Sequence, residues 1–153
     1  MVYEIHMIKR HYLLSIVGIF LVSQVFPVSA VVGNWRTIDD ETGKTKSIVQ
    51  ITESLSGEIQ GRVIEILHSN RGPNPLCDNC PGERAGKPVK GMVILWGMSA
   101  SGDDQWKGGQ IIDPTKGKIY KAKLKLREDG KLEVRGFIGF SLIGRTQVWE
   151  PDS

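Results

Sequence analysis

Short apolar runs alternate with polar residues along most of this chain, and turn-forming residues separate the runs. The clearest run spans residues 120–127, where apolar residues at every second position alternate with three lysines and an arginine. Asp129-Gly130 follows, a dipeptide that suits a two-residue hairpin turn, and another alternating run begins at Lys131. A period of two residues indicates strands with one buried and one exposed face. The chain therefore predicts antiparallel strands joined by short turns.

Eight such strands are expected after residue 30, and no stretch there predicts a helix. They span residues 31–37, 46–52, 57–67, 91–96, 105–112, 120–127, 131–138 and 144–149. The alternation slips at Val63-Ile64, which predicts either a β-bulge or a strand buried on both faces. Links of hairpin length favour an all-β fold, a single eight-stranded antiparallel up-and-down barrel, because closure removes exposed strand edges. A flat sheet or a two-sheet sandwich is the alternative.

Two connections differ from the tight turns. Residues 99–104 form a predicted polar turn. Residues 68–90 are richer in turn formers, with four prolines, three glycines and both cysteines of the chain. A connection of that length without regular structure is uncommon in a small domain and is often functional or mobile.

The first thirty residues have the pattern of a cleaved secretory signal peptide rather than of a folded element. Lys9-Arg10-His11 is a basic region, residues 12–26 are largely apolar, and Val28-Ser29-Ala30 is a cleavage site of small residues. Residues 31–153 are then the mature barrel domain, exported to the periplasm or beyond the cell. Cleavage predicts that the mature protein has no stable membrane insertion.

The charges of the mature chain exclude one class of partner. Loss of Glu4, Lys9 and Arg10 takes the formal net charge from +3 to +2. Charges of both signs are interspersed, which argues against nucleic-acid binding. The row of Lys121, Lys123 and Lys125 either attracts an acidic partner or is simply the solvent face of a strand.

The two cysteines form a Cys77-x-x-Cys80 motif, which predicts a disulfide in an exported chain. Redox activity and metal binding are the alternatives. A redox pair normally precedes a helix, and none is predicted here. His68 is the one histidine of the mature chain, too few for a four-ligand zinc site and a poor start for a catalytic triad. The sequence predicts no catalytic residues, no metal and no cofactor.

Four tryptophans stand out in so small a domain, because their large apolar rings suit either a core or the wall of a cavity. Trp35 and Trp149 lie near the two ends of the mature chain, where a barrel closes, and are assigned to the core. Trp96 and Trp106 flank the link between two central strands and are the candidates for the cavity wall.

The order of short motifs resembles that of a known family. These motifs are Gly33-x-Trp35, Gly61-Arg62-Val63, Cys77-x-x-Cys80, Gly86-Lys87-Pro88, Trp106-x-Gly108-Gly109, Ile111-x-Asp113-Pro114, Arg135-Gly136-x-Ile138-Gly139 and Gly144-Arg145-Thr146-Gln147-x-Trp149. Together they resemble the bacterial exported proteins of domain of unknown function 2147 (DUF2147), over nearly the whole mature chain. The resemblance implies a lipocalin-like barrel of eight strands, open at one end. It implies no specific activity, because the family has no established biochemical role.

The lipocalin likeness extends to a few positions. Gly33-x-Trp35 resembles the lipocalin Gly-x-Trp, whose Trp closes the barrel floor. An Arg from near the last strand packs across that ring in lipocalins, and Arg145 is the matching residue, which implies a structural cation–π contact. The chain is shorter than ordinary lipocalins and lacks their helix after the last strand. Its long loop with two cysteines is a further departure.

The sequence favours a non-enzymatic barrel that binds a small apolar or amphipathic molecule, because eight strands enclose about enough room for one. The predicted ligand-binding residues are Val49, Ile51, Val63, Ile94, Trp96, Trp106, Tyr120, Leu124 and Val134. Arg62 and Arg135 are possible polar anchors if they face inward. One alternative is a cell-envelope protein-interaction module that uses the Pro-rich loop around Cys77 and Cys80. Another is a thiol–disulfide redox protein.

Overall fold

A closed barrel of eight antiparallel strands forms the protein in the computed structural model, which describes residues 29–39 and 42–152. The strands are β1 (Gly33–Ile38), β2 (Thr45–Glu53), β3 (Ile59–Ile66), β4 (Val93–Gly102), β5 (Gln105–Asp113), β6 (Lys118–Leu126), β7 (Leu132–Phe137) and β8 (Gly144–Pro151). Each pairs with the next, and β8 pairs with β1. The predicted up-and-down barrel is therefore confirmed. The predicted signal peptide lies almost wholly outside the described residues and stays a prediction.

Strand boundaries agree with the predicted ones to within a few residues, except in β4. The predicted polar turn at residues 99–104 is wrong, because β4 continues through Ser99 and Ala100, which pair with Lys107 and Trp106. The turn is confined to Asp103 and Asp104. The polar side chains of Ser99 and Ser101 are exposed and partly exposed, respectively, on this part of the strand, so they do not end it.

Bulges break the alternation at several positions. In β3 the register passes from Ile48–Glu65 to Val49–Val63, which leaves Ile64 as an extra residue and confirms the predicted bulge. In β4 the register passes from Leu95 to Val93 against neighbouring residues of β3, so Ile94 is an extra residue there. Bulges bend and twist strands, which helps a sheet to curl into a barrel.

One end of the barrel, here called the closed end, is filled by side chains. The β2–β3, β4–β5 and β6–β7 turns lie at this end together with the first described residues. Val31 is fully buried, and its carbonyl oxygen accepts a hydrogen bond from Trp35 Nε1 at 2.8 Å, so the entering chain covers the floor. The interior there is occupied by large buried side chains: Trp35, Ile51, Ile59, Met98, Trp106, Leu124, Leu132 and Trp149.

The seam between β1 and β8 is short and lies toward the closed end. Trp35 pairs with Pro151 and Arg36 with Glu150, whereas β7 and β8 pair over six residues. The Arg36–Asp152 ion pair, with Nε and Oδ1 2.7 Å apart, reinforces the seam. Beyond Arg36, toward the other end of the barrel, no register partner on β8 is found for the described residues of β1. Pairing between β1 and β8 therefore closes the barrel near its closed end.

The long connection between β3 and β4 packs against the barrel and contains one short 3₁₀ turn, Gly82–Arg84. The predicted disulfide between Cys77 and Cys80 is confirmed, and both residues are buried. Cys77 Sγ lies 3.3 Å from the carbonyl oxygen of Pro114, in the β5–β6 turn. A side chain at Gly117 in the same turn would overlap the backbone of Asn79. This loop is thus fitted closely onto the end of a neighbouring hairpin.

Candidate ligand-binding site

The half of the barrel opposite the closed end is hollow and is here called the open end. A cavity of about 580 Å³ extends inward from it between the β1–β2, β5–β6 and β7–β8 connections and the long loop. Its wall includes inward-facing side chains from all eight strands: Thr37, Ser47, Val63, Ile66, Ile94, Ile111, Tyr120, Val134, Arg145 and Gln147. Trp149, only 1% exposed, marks its floor.

The barrel register explains why these side chains share one interior. Paired residues on neighbouring antiparallel strands face the same side of a sheet. Ile111 pairs with Tyr120, and Val134 pairs with Gln147, so each pair contributes neighbouring side chains to the wall. Gly136 pairs with Arg145, and because Gly136 lacks a side chain it leaves room beside Ile111 and Tyr120. The missing side chain at Gly136 thus contributes to the hollow.

Polar groups in the cavity lie toward its mouth. Thr37 Oγ1 and Ser47 Oγ are 2.8 Å apart in a buried hydrogen bond that joins β1 and β2. Gln147 and Arg145 follow each other up the inner face of β8, and both make polar or ring interactions of their own. Below them the wall is apolar down to Trp149. The cavity therefore has an apolar base and a polar entrance.

Four of the nine residues predicted to bind a ligand line this cavity. They are Val63, Ile94, Tyr120 and Val134. Ile94 faces inward as the extra residue of the β4 bulge, beside the inward-facing Leu95.

Val49, Ile51, Leu124 and Trp106 also face the interior, but they lie below the cavity in the filled half. Trp106 pairs with Leu124 and is 6% exposed, so its ring belongs to the core rather than to a cavity wall.

Trp96 lies on the outside of the barrel, so its predicted inward orientation is wrong. Leu95 faces inward opposite Gly61, which turns the next side chain outward. The Arg84 guanidinium of the long loop stacks over the Trp96 ring, 4.3 Å from its centroid. Trp96 therefore fastens the loop to the barrel wall.

The two arginines considered as inward anchors also face outward. Arg62 donates a hydrogen bond to the carbonyl oxygen of Gly91, two residues before β4. Arg135 donates to the carbonyl oxygen of Ser141 through Nε at 2.8 Å and Nη2 at 2.6 Å. Both guanidinium groups stabilise connections rather than the interior.

The predicted cation–π contact between Arg145 and Trp35 is wrong. Trp35 pairs with Pro151, and Arg145 lies six residues earlier on β8. At about 3.3 Å per residue, the two are separated by roughly 20 Å along the barrel, far beyond cation–π distance. Trp35 and Trp149 are buried, as their predicted place in the core requires. Arg145 lies instead at the mouth of the cavity.

Sequence reasoning missed Ile111, Thr37, Ser47 and Gln147 as parts of the wall. Ile111 is the register partner of Tyr120, so a correct pairing of the β5–β6 hairpin would have found it. Thr37 and Ser47 are polar, a character that does not predict a place inside a barrel, although they also pair with each other.

Metal binding and membrane-spanning helices find no support in the described part of the chain. No group of three or more His, Cys, Asp or Glu side chains is placed to hold a metal ion there. Within the same residues, no helix has the length and apolar character needed to cross a membrane.

The comparisons with known proteins agree with this architecture. A family model described as an uncharacterized protein conserved in bacteria, DUF2147, matches residues 33–151. The chain belongs to this family. The match covers all eight strands, so it confirms the resemblance carried by the motifs.

A solved structure supports the lipocalin-like description of the fold. It is that of protein HP1028 from the human pathogen Helicobacter pylori, described as belonging to the lipocalin family. The likeness has a TM-score of 0.70 and 22% sequence identity, and covers 83% of this chain and 85% of that chain. At this identity the likeness concerns the fold. A comparison with curated proteins finds no match.

Proposed function

We propose that this protein binds one small apolar or amphipathic molecule in the open half of its barrel and does not transform it. The observation that carries the proposal is the cavity of about 580 Å³ above Trp149. Small-molecule sites in proteins are concave, mostly apolar and about 300–1,000 Å³ in volume, with a few polar groups that fix the orientation of the ligand. The cavity meets each of these conditions.

The arrangement of polarity supports an amphipathic ligand in particular. Apolar side chains such as Val63 and Val134 surround the deep part, where a hydrocarbon portion is stabilised by leaving water. Tyr120, Gln147 and Arg145 lie higher and offer hydrogen bonds to a polar group. A ligand with an apolar tail and a polar or acidic head therefore matches the cavity from floor to mouth.

Binding without catalysis is supported by the groups that line the cavity. His68 is the one histidine in the described residues, and it lies at the rim. The buried Ser47 hydroxyl is bonded to Thr37 rather than to a base. A nucleophile needs a base within hydrogen-bond reach, and this pairing does not supply one.

Export is part of the proposal. The signal-peptide pattern of residues 1–30 and the disulfide between Cys77 and Cys80 support it together, because disulfides persist in oxidising compartments. In the bacterial envelope, such a barrel would hold a lipid-like molecule away from water.

The binding test uses a fluorescent fatty acid, cis-parinaric acid, titrated into the purified mature protein. Saturable binding is expected, with energy transfer from tryptophan because Trp149 forms the cavity floor. Gly136→Phe is the blocking variant. An added Cβ there makes ordinary contacts, 3.4 Å from Ile111 Cγ2 and Tyr120 Cβ, and the larger ring projects into the cavity. We expect at least about a tenfold loss of affinity, since the ring takes the space of the tail.

The matched control is Val148→Phe, on the outer face of the neighbouring strand β8. Its register partner is Glu133, outside the barrel, so it adds the same ring without filling the cavity. Equal binding by wild type and both variants would place the ligand elsewhere. Absence of saturable binding by folded wild-type protein would refute the proposed function for fatty-acid-like ligands.

A further inference from the structure

Exposed apolar side chains concentrate on the β7–β8 connection. Among the described residues, seven large apolar side chains are strongly exposed, and four of them lie in residues 138–143. They are Ile138, Phe140, Leu142 and Ile143, with exposed fractions of 62%, 81%, 90% and 71%. Residues 136–144 contain no charged residue. Such a cluster on an otherwise charged surface marks an interaction site.

The apolar hairpin, residues 138–143, is held in a defined shape. Ile138 and Ile143 are joined by a backbone hydrogen bond of 3.2 Å, from the amide of Ile138 to the carbonyl oxygen of Ile143. The Arg135 guanidinium donates to the carbonyl oxygens of Ser141 and Leu142 from the outside of β7. The backbone carbonyl groups of Ser141 and Leu142 thus have hydrogen-bond donors, while the apolar side chains of the hairpin are exposed to solvent.

A row of lysines lies beside the base of the hairpin. Lys121 pairs with Phe137, the residue immediately before the hairpin, and Lys123 pairs with Arg135. Both lysines are exposed on the outer face of β6, a strand without acidic residues. Lys123 Nζ lies 5.5 Å from the centroid of the Phe137 ring, so the positive charge reaches toward the hairpin.

The apolar hairpin and the lysine row point to one partner. We propose that they form a docking surface for a bilayer that contains anionic phospholipid, with the hairpin inserted and Lys121 and Lys123 at the headgroups. At about 3.3 Å per residue, Phe140 stands at most about 10 Å beyond Phe137. That height matches the depth, about 5–10 Å, to which interfacial apolar faces are buried in a membrane.

The position of the hairpin beside the cavity supports a bilayer over a protein partner. Ile138 and Ile143 belong to both the hairpin and the mouth of the cavity. Docking by this surface turns the mouth of the cavity toward the hydrocarbon core of the bilayer, into which amphipathic molecules partition. A symmetric dimer through the same face would instead bring two lysine rows together, at an electrostatic cost.

The first experiment is co-sedimentation of the mature protein with vesicles of phosphatidylcholine alone or with 30% phosphatidylglycerol. Wild type is expected to bind the anionic vesicles and to bind neutral ones more weakly. Phe140→Ser with Leu142→Ser is expected to reduce partitioning at least about tenfold, because two apolar side chains no longer enter the bilayer. Both positions are solvent-exposed, so the fold should not depend on them.

Leu55→Ser is the matched control. Leu55 is fully exposed in the β2–β3 turn at the closed end, so its substitution should leave vesicle binding unchanged. Failure of wild type to bind either vesicle would overturn the proposal. So would equal binding by the double-serine variant. A wild type that is dimeric in solution, with a monomeric double-serine variant, would assign the hairpin to a second copy instead.

A second measurement tests insertion directly. Phe140→Trp should show a blue shift of tryptophan emission with anionic vesicles, whereas Leu55→Trp should not. Lys121→Gln with Lys123→Gln should weaken binding to anionic vesicles by about fivefold per lysine, with no effect on neutral ones. The loss should shrink in high salt, because surface charges are screened there. An unshifted emission at Phe140→Trp with bound vesicles would exclude insertion.

The docking proposal does not rest on ligand binding inside the barrel. The vesicle assay measures binding by the outer surface, and the cis-parinaric acid titration measures binding in the cavity. Gly136→Phe should therefore retain vesicle binding, whereas the double-serine variant should retain binding of the soluble probe. A loss of both properties in both variants would indicate a folding defect rather than two sites.

Discussion

The two ends of this barrel are built from the same eight strands but are packed differently. At the closed end, Trp35, Trp106 and Leu132 fill the space between the strands, and Val31 covers the floor. At the open end the corresponding inward positions hold smaller residues, such as Ser47 and Gly136, and a cavity remains. Since buried apolar contact stabilises a fold and empty space does not, the closed end carries most of the stability. The open end, with its cavity, is where we propose that a ligand binds.

The largest expected effect is on the free energy of unfolding, when the same substitution, Ile→Ala, is made at each end of the barrel. Ile51 is fully buried at the closed end, whereas Ile111 is half-buried and borders the cavity. Ile51→Ala is expected to lower the free energy of unfolding by about 2–5 kcal/mol, and Ile111→Ala by clearly less, because fewer atoms pack around it. Chemical denaturation measures both. Equal losses would show that the open end is packed as tightly as the closed end.

The next largest expected effect is the loss of stability when the contact between the long β3–β4 loop and the β5–β6 turn is disturbed. Gly117 and Gly130 have similar positive φ angles of 67° and 77°, but only a Cβ at Gly117 would meet another segment, the backbone of Asn79. Gly130→Ala should cost about 1–2 kcal/mol from backbone strain alone. Gly117→Ala should cost more, since it also displaces the loop from the β5–β6 turn.

Thermal unfolding and limited proteolysis of the loop distinguish these costs. Faster cleavage within residues 68–90 is expected for Gly117→Ala, and wild-type cleavage for Gly130→Ala. If both variants lose the same stability and keep wild-type cleavage, the contact of Asn79 with Gly117 does not fasten the loop.

The sequence predicted the barrel more fully than the cavity. Alternation with a period of two specifies which residues of a strand share a face, and this was enough to count eight strands. It does not specify which inward residues border a cavity: Leu124 and Val134 pair directly with each other, yet only Val134 lines it. Bulges are the second obstacle: with Ile94 as an extra residue in β4, Ile94 and Leu95 both face inward, and Trp96 therefore faces outward.

Arg145 illustrates the same limit. Its position in the last strand suggested a partner at the floor, since β1 and β8 close the ring. The antiparallel register places it near the opposite end, with Gly136 as its partner. In an up-and-down barrel of eight strands, β1 and β8 run antiparallel, so the first residues of the two strands lie at opposite ends. The pairing of Trp35 with Pro151 shows this directly, and the short motif around Arg145 does not encode it.

The smallest expected effect is electrostatic and belongs to the closed end. Lys131 Nζ and Glu150 Oε1 are 2.7 Å apart, and both side chains are partly exposed. Their hydrogen bond, and then their opposite charges, lower the pKa of Glu150 and raise the pKa of Lys131. The stabilisation from Glu150 is present above its ordinary pKa and is lost as pH falls through the lowered value. That from Lys131 is present below its ordinary pKa and is lost as pH rises through the raised one.

Glu150→Gln should therefore destabilise the protein slightly at neutral pH, and the difference from wild type should vanish in strong acid. Added salt should reduce it as well, because exposed ion pairs are screened. Glu128→Gln, in the nearby β6–β7 turn, is the control for removal of one negative charge. Urea denaturation at several pH values measures the difference, and a Glu150→Gln effect that persists unchanged into acid would show that the ion pair is not its cause. Even at its largest, this effect should stay below that of Ile51→Ala, because solvent competes for both charges whereas no solvent reaches the buried isoleucine.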